Sequence, residues 1–184
     1  IALTYLLMVL VSVVLLLAIV FAFTVTANIL ASPFNDSLSA QTELMIRGGA
    51  EAPFSIKLVL KEAGRTIKEE VKKAVLYLLV VAVLLLLNLL PLVGSVLYSI
   101  LFFLFTTFWL GLSFLDYALA RKGYGLRDKL KFSRRHARSV LGYGLGVFLG
   151  LLVPVFNLVF IPMAVVGGTV LYISLGDVEN ISGA

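Results

Sequence analysis

Residues 74–115 read AVLYLLVVAVLLLLNLLPLVGSVLYSILFFLFTTFWLGLSFL and contain no Asp, Glu, Lys, Arg or His. A helix needs about 20 apolar residues to cross a hydrocarbon core about 30 Å thick. This stretch is long enough for two such helices, and the Pro-Leu-Val-Gly-Ser sequence at 91–95 is typical of a tight turn. We therefore predict a helical hairpin, with one membrane span over residues 74–90 and a return span over residues 95–115.

Two further charge-free stretches, residues 1–35 and 139–176, lie on either side of this hairpin. The chain is 61% hydrophobic, whereas an ordinary soluble domain is about 45–50% apolar. A chain of 184 residues cannot form a soluble core large enough to bury three such stretches. The pattern predicts an all-α integral membrane protein, with a single membrane domain over residues 1–184, and excludes soluble globular classes.

The first charge-free stretch predicts a transmembrane helix over residues 1–31. Pro33 disfavours the α conformation at Ser32, so we expect the helix to stop there. Asn35 then offers a cap for a short second helix over residues 38–46, which the nearby glycine pair would end. The chain begins inside an apolar segment and not at a Met. We therefore expect this sequence to be the later part of a longer chain.

Residues 54–90 combine an amphipathic segment with the first span of the hairpin. Apolar residues recur there at spacings of three and four, as on one face of a helix: Ile56, Leu60, Ala63, Ile67, Val71 and Ala74. A second line is basic: Lys57, Lys61, Arg65, Lys68 and Lys72. A basic line beside an apolar stripe suits an interfacial helix on anionic lipid. A solvated helix face is the alternative.

Residues 140–175 are interrupted by Pro154 and Pro162. The helical segments on either side are each about 20 Å long at 1.5 Å per residue, which is too short to cross the bilayer. We therefore predict a C-terminal re-entrant helical hairpin with Asn157 at its tip. Non-helical backbone at that depth must be buried in protein or line a watery cavity.

The charges lie in two segments. Residues 116–138 carry eight Lys or Arg against two Asp, and residues 32–73 carry seven Lys or Arg against six acids. Two predicted spans separate these segments, so both face the same side, and the positive-inside rule makes that side cytoplasmic. The net charge of +5 is explained in this way, and no nucleic-acid partner is predicted.

The residues offer no enzyme chemistry. There is no cysteine, and the single histidine, His136, lies among arginines where a metal ion would be repelled. We predict no enzyme activity, no metal site and no cofactor. The apolar stretches also lack the Asp, Glu or His that proton-coupled carriers usually place in their spans. A passive channel is therefore favoured over a proton-coupled pump.

Three short motifs occur in order along the chain. Residues 27–35 read ANILASPFN, Asp116-Tyr117 follows the hairpin, and residues 154–169 contain PVFNL, PMAV and GGT. Together with the hydropathy pattern, they resemble the CysZ-type sulfate transporter family, the bacterial relatives of the etoposide-induced membrane proteins. The resemblance covers most of residues 20–173. It implies uptake of sulfate, or the related sulfite, across the bacterial inner (plasma) membrane by a multi-pass channel or permease that supplies cysteine biosynthesis.

The resemblance also implies an N-terminal helix upstream of Ile1, which is preceded by a short sulfate-binding motif. Two other function classes stay open: a non-transporting membrane adaptor or structural protein of the same family, and an intramembrane enzyme. Sulfate flux separates the first of these from a transporter.

A dianion in the membrane needs hydrogen-bond donors, helix N-termini and water. The residues that we assign to anion binding or passage are polar or basic side chains near the predicted helix ends: Asn28, Asn35, Ser37, Asn157, Arg134, Arg135 and Arg138. Helix capping or helix–helix hydrogen bonding is the alternative role for each Asn. One chain has few such groups, so we expect a homo-oligomer within the lipid bilayer.

Overall fold

The computed structural model describes residues 2–48, 56–90, 93–153 and 157–182. Within these ranges, some side chains are not described: those of residues 2–3, 17, 20–21, 24–25, 27–30, 56–67, 158 and 177–182.

The described residues form six α-helices, a short 3₁₀ helix and no strand, which confirms the all-α prediction. The elements are α1 (Ala2–Arg47), α2 (Ile56–Leu85), the 3₁₀ helix (Leu86–Leu89), α3 (Gly94–Arg121), α4 (Leu126–Arg135), α5 (Ala137–Leu151) and α6 (Asn157–Ser182). Two segments in the described part are long and apolar enough to cross a membrane, namely α3 and, within α6, Val159–Gly176.

Helix α1 continues through Pro33 to Arg47. The prediction of a helix end at Pro33 and a separate helix over residues 38–46 is therefore wrong. A proline removes one backbone donor, but the turns on both sides keep their own hydrogen bonds. The predicted end at the glycine pair is confirmed, because Gly48 has φ 71° and its N–H donates to the Leu44 carbonyl at 2.8 Å.

The chain divides into two compact units, Ile1–Ser37 and Leu38–Ala184. In the first unit, five successive apolar side chains are each at least half exposed: Leu6, Leu7, Met8, Val9 and Leu10. Successive residues point to different faces of a helix, so this segment is apolar all round. Such a surface is typical of a helix in contact with lipid.

In the second unit, α3 packs against α2, α4, α5 and α6. Its inner face provides Leu115 and Leu119, which form a buried core with Phe132 of α4 and Val140 of α5. The apolar side chains along α2 and the first half of α3 are largely exposed, for example Leu78 and Ile100. They give the hairpin an outer surface that suits lipid.

Close backbone approach fixes two of the helix contacts. A Cβ at Gly94 would overlap the carbonyl oxygen of Leu87, so this glycine lets α3 begin directly against the end of the preceding arm. The crossing of α3 and α5 is similar, because a Cβ at Gly144 would overlap the carbonyl oxygen of Thr107 and one at Gly111 would overlap that of Val140. Neither the start of α3 nor the crossing of α3 and α5 therefore has room for a larger residue at these glycines.

Helices α5 and α6 form a second, unequal pair. The 15 residues of α5 span about 22 Å and the 26 residues of α6 span about 39 Å at 1.5 Å per residue. Helix α6 is longer than the predicted half-span because it begins before Pro162 and continues through it. That proline lies in the second turn and costs one hydrogen bond. Re-entry of this pair into the membrane stays a prediction.

Candidate functional site

One end of the second unit gathers charged side chains from α1, α2, α3 and α4. We call this group the ionic layer, and it consists of Glu43, Lys73, Asp116, Arg121, Lys122 and Lys129. It contains two acids and four bases, so its formal net charge is +2. The layer has two parts, one centred on each acid.

Asp116, near the end of α3, is paired with two lysines. The Lys73 ammonium of α2 lies 2.7 Å from Oδ2, and Lys129 of α4 pairs with Oδ1. These side chains are only 7–14% exposed. Burial by itself lowers the pKa of Lys73, but the charges of Asp116 and Glu70 outweigh it and hold that pKa above its ordinary value. Three helices are thus joined through one carboxylate.

Glu43, in the last turns of α1, is the second centre. Its carboxylate accepts hydrogen bonds from Arg121 Nη2 at 3.1 Å and pairs with Lys122 Nζ at 2.7 Å. Burial raises the pKa of Glu43, but the hydrogen bonds from Lys122 and Arg121 outweigh it, so the pKa lies below its ordinary value. Arg121 also donates to the carbonyl oxygen of Ser39 at 3.2 Å. These bonds join the end of α1 to the end of α3.

A buried hydroxyl pair lies beside this second centre. Ser39 Oγ and Thr169 Oγ1 are 2.6 Å apart, and both side chains are fully buried. Thr169 donates its proton to the Val165 carbonyl at 3.0 Å, so Ser39 is the donor to Thr169. A Cβ at the adjacent Gly168 would lie 2.7 Å from the Phe114 carbonyl oxygen. Helix α6 therefore packs closely against α3 at this level.

An aromatic cluster lies next to the ionic layer along α2 and α3. Tyr77 stacks on Phe105 with ring centroids 5.4 Å apart and contacts Trp109 at 5.3 Å. Tyr77 is about one turn beyond Lys73, towards the apolar arm of the hairpin. Tyr and Trp are enriched where the hydrocarbon core meets water. The sequence of apolar arm, aromatic cluster and ionic layer indicates a membrane–water boundary here.

The predicted anion residues of the second unit are not brought together. Arg134, Arg135 and Arg138 are exposed around the junction of α4 and α5. Asn157 lies beyond the opposite end of α5, so the length of that helix, about 22 Å, separates it from the arginines.

Asn157 has a structural role in the turn between α5 and α6. In the amide orientation that satisfies both bonds, its nitrogen donates to the carbonyl oxygens of Leu151 at 3.1 Å and Val153 at 3.2 Å. The last carbonyls of a helix have no partner within the helix. Asn157 therefore stabilises the end of α5.

The other predicted residues belong to the first unit. Asn35 is buried and Ser37 is exposed, while the Asn28 side chain lies outside the described part of the chain. Because α1 is continuous from Ala2 to Arg47, no new helix begins directly after Asn35. The prediction that Asn35 caps a helix with unpaired backbone donors behind it is therefore wrong.

The sequence analysis missed the ionic layer. Its clearest signal was the position of Lys73 and Asp116, which are the residues directly before and after the charge-free stretch 74–115. Among the described residues, no group of three or more His, Asp or Glu is arranged to hold a metal ion.

Comparison with known proteins gives one consistent family. A family model described as "Sulfate transporter CysZ/Etoposide-induced protein 2.4" matches residues 2–162. Proteins named "Sulfate transporter CysZ" are similar to this chain. The one from Pectobacterium atrosepticum is 35% identical over 86% of this chain and 58% of its own length. Relatives from Pseudomonas fluorescens and Pseudomonas aeruginosa are both 33% identical, over 88% and 86% of this chain and 65% and 64% of their own lengths.

This chain thus spans about three-fifths of the length of the curated relatives that it matches. The match covers the hairpin, the ionic layer and the beginning of α6. The chain belongs to the family of CysZ sulfate transporters and etoposide-induced 2.4 proteins, and it is a helical membrane protein.

Proposed function

We propose that this protein mediates sulfate uptake across a bacterial inner membrane, as a channel or permease that supplies sulfate assimilation and cysteine biosynthesis. The observation that carries the proposal is the similarity, at about one-third identity over most of this chain, to several proteins named "Sulfate transporter CysZ". Sulfite is the related candidate substrate. The role is transport and not catalysis.

The position of the charges supports this proposal. Ion pairs between Glu43 and Arg121 and between Lys73 and Asp116 join the two charged segments of the sequence at one end of the second unit. This agrees with a single cytoplasmic side for both. A net positive end raises the local concentration of anions at that mouth. The arms of the hairpin contain no charge that would couple transport to protons.

The cost of moving sulfate supports an assembled pathway. Transfer of a monovalent ion into a medium of low dielectric constant costs on the order of 20 kcal/mol, and the cost rises with the square of the charge. The exposed leucines of the hairpin cannot offset that cost. We therefore expect several copies of the chain to enclose a watery pathway in the bilayer. Its candidate residues are Asn28, Asn35, Ser37, Asn157, Arg134, Arg135 and Arg138.

Uptake of labelled sulfate into proteoliposomes tests the proposal. We expect uptake that exceeds that of protein-free vesicles and that excess unlabelled sulfate competes away. The double variant Arg134→Gln, Arg135→Gln should lower the flux several-fold at low ionic strength. The effect should shrink at physiological salt, where exposed charges are screened over about 8 Å. A correctly folded protein without sulfate flux would overturn the proposal and favour the adaptor role.

A further inference from the structure

The outward face of α4 carries a line of cations. Arg127, Lys131 and Arg134 follow each other at spacings of four and three residues, so they share one face of the helix, and all three are exposed. The opposite face is buried and consists of Lys129, Phe132 and Ser133. Helix α4 is thus strongly amphipathic, but its inner face is turned to protein.

Specific contacts fix this orientation. Lys129 pairs with Asp116 of α3, and the backbone N–H of Leu126 donates to Glu69 Oε2 of α2 at 3.0 Å. The Phe132 ring packs in the core of the second unit. Because three inner contacts hold α4 from two neighbouring helices and the core, the cationic line cannot rotate inward.

The three cations of this line form no ion pair with the part of the protein that the structure describes. Across the described ranges, no acidic side chain forms an ion pair with Arg127, Lys131 or Arg134. Helix α4 also lies between two apolar helices, because α3 ends at Arg121 and the charge-free stretch of α5 and α6 begins at residue 139. These short connections hold α4 close to the ends of both apolar helices.

We propose that the outward face of α4 binds the phosphodiester headgroups of anionic phospholipids. A guanidinium group matches two phosphate oxygens with two parallel hydrogen bonds, and Lys131 adds a point charge between the two arginines. Each cation at an anionic leaflet strengthens attachment roughly fivefold. Of these three cations, only Arg134 also belongs to the proposed sulfate pathway, and lipid binding requires only that the hairpin lie in the membrane.

Lipid retention provides the test. The protein is reconstituted in vesicles of equal phosphatidylglycerol and phosphatidylcholine and extracted in mild detergent, and the retained lipids are counted by mass spectrometry. We expect a preference for phosphatidylglycerol. The variant Arg127→Gln, Lys131→Gln should weaken this preference on the order of twentyfold, because it removes two cations. The matched control Arg127→Lys, Lys131→Arg keeps both charges and should retain the preference.

Two outcomes would overturn the proposal. One is an unchanged phosphatidylglycerol preference in the Gln double variant, provided that its elution profile and melting temperature match those of the original protein. The other is displacement of phosphatidylglycerol by sodium sulfate or phosphate at concentrations where sodium chloride of equal ionic strength has no effect, since that would identify a site for dissolved anions.

Discussion

At the scale of single residues, Asp116 is the buried carboxylate that joins three helices through two ion pairs. It pairs with Lys73 and Lys129, whose side chains are 14% and 7% exposed. A buried ion pair adds little net stability when compared with apolar residues, but removal of one partner leaves an uncompensated charge. Removal of Asp116 would therefore leave positive charge buried without sufficient counter-charge.

Replacement of Asp116 by Asn should be strongly destabilising, because the buried Lys129 ammonium would lose its ion-pair partner and Lys73 would keep only Glu70, which is half exposed. We expect a loss of about 3–5 kcal/mol in the free energy of unfolding. Asp128 is an exposed acid in the first turn of α4, and its replacement by Asn should cost less than about 1 kcal/mol. Unfolding in detergent would compare the two, and equal losses would contradict a central role for Asp116.

Glu43 should make stability depend on acid pH. Its pKa in the folded state lies below the ordinary value of 4.5. Its contribution is therefore fully present above pH 4.5 and is lost as the pH falls through the lowered pKa. In Glu43→Gln, unfolding temperature should be lower at neutral pH and should converge with that of the original protein in acid. Parallel curves across this range would contradict the assignment.

At the scale of elements, hydropathy located the hairpin well. Residues 54–90 and 95–115 were predicted, and the structure has α2 with its 3₁₀ extension and α3. Helix α3 continues past the predicted span through Asp116 and Arg121, whose charges are paired. Hydropathy detects contact with lipid, and it does not detect where a helix ends in protein.

The error at Pro33 has a different origin. The rule that a proline disfavours the α conformation of the preceding residue considers only local backbone sterics. It does not include the helical turns on both sides of Pro33, through which α1 continues. The Lys73–Asp116 pair, in contrast, was within reach of the sequence, since the two residues are equidistant from the turn at Gly94 and Ser95. The pairing of Lys129 with Asp116 could not be predicted from the sequence, because the position of Lys129 depends on how α4 packs through Phe132.

The crossing of α3 and α5 yields a matched pair of substitutions. Gly144→Ala should destabilise the protein by about 1–3 kcal/mol, because the new Cβ overlaps the Thr107 carbonyl and the helices must move apart. Gly142 lies on the open side of α5 with nothing within 4 Å of an added Cβ. Gly142→Ala should therefore stabilise the helix by about 0.5–1 kcal/mol. Melting temperatures in detergent would check both signs, and similar effects would contradict the packing.

At the scale of the whole molecule, both charged segments should face the cytoplasm. The chain has no cysteine. Ser37 lies in the first charged segment and Ser139 directly follows the second, and both are exposed, so a single cysteine can be introduced at either one. A membrane-impermeant maleimide should label neither variant in spheroplasts and both in inside-out vesicles. Labelling of one variant from outside would place the segments on opposite faces and contradict the topology.

The pairing of Lys73 with Asp116 also bears on how the chain enters its membrane during biosynthesis. The two charges flank the hairpin and stay together at its base, and no charge lies between them. Transfer of a charged side chain through the bilayer centre costs several kcal/mol, about 2.5–3.5 on insertion scales. The hairpin can therefore be inserted as one loop from the side where it is synthesised, without the passage of any charged side chain.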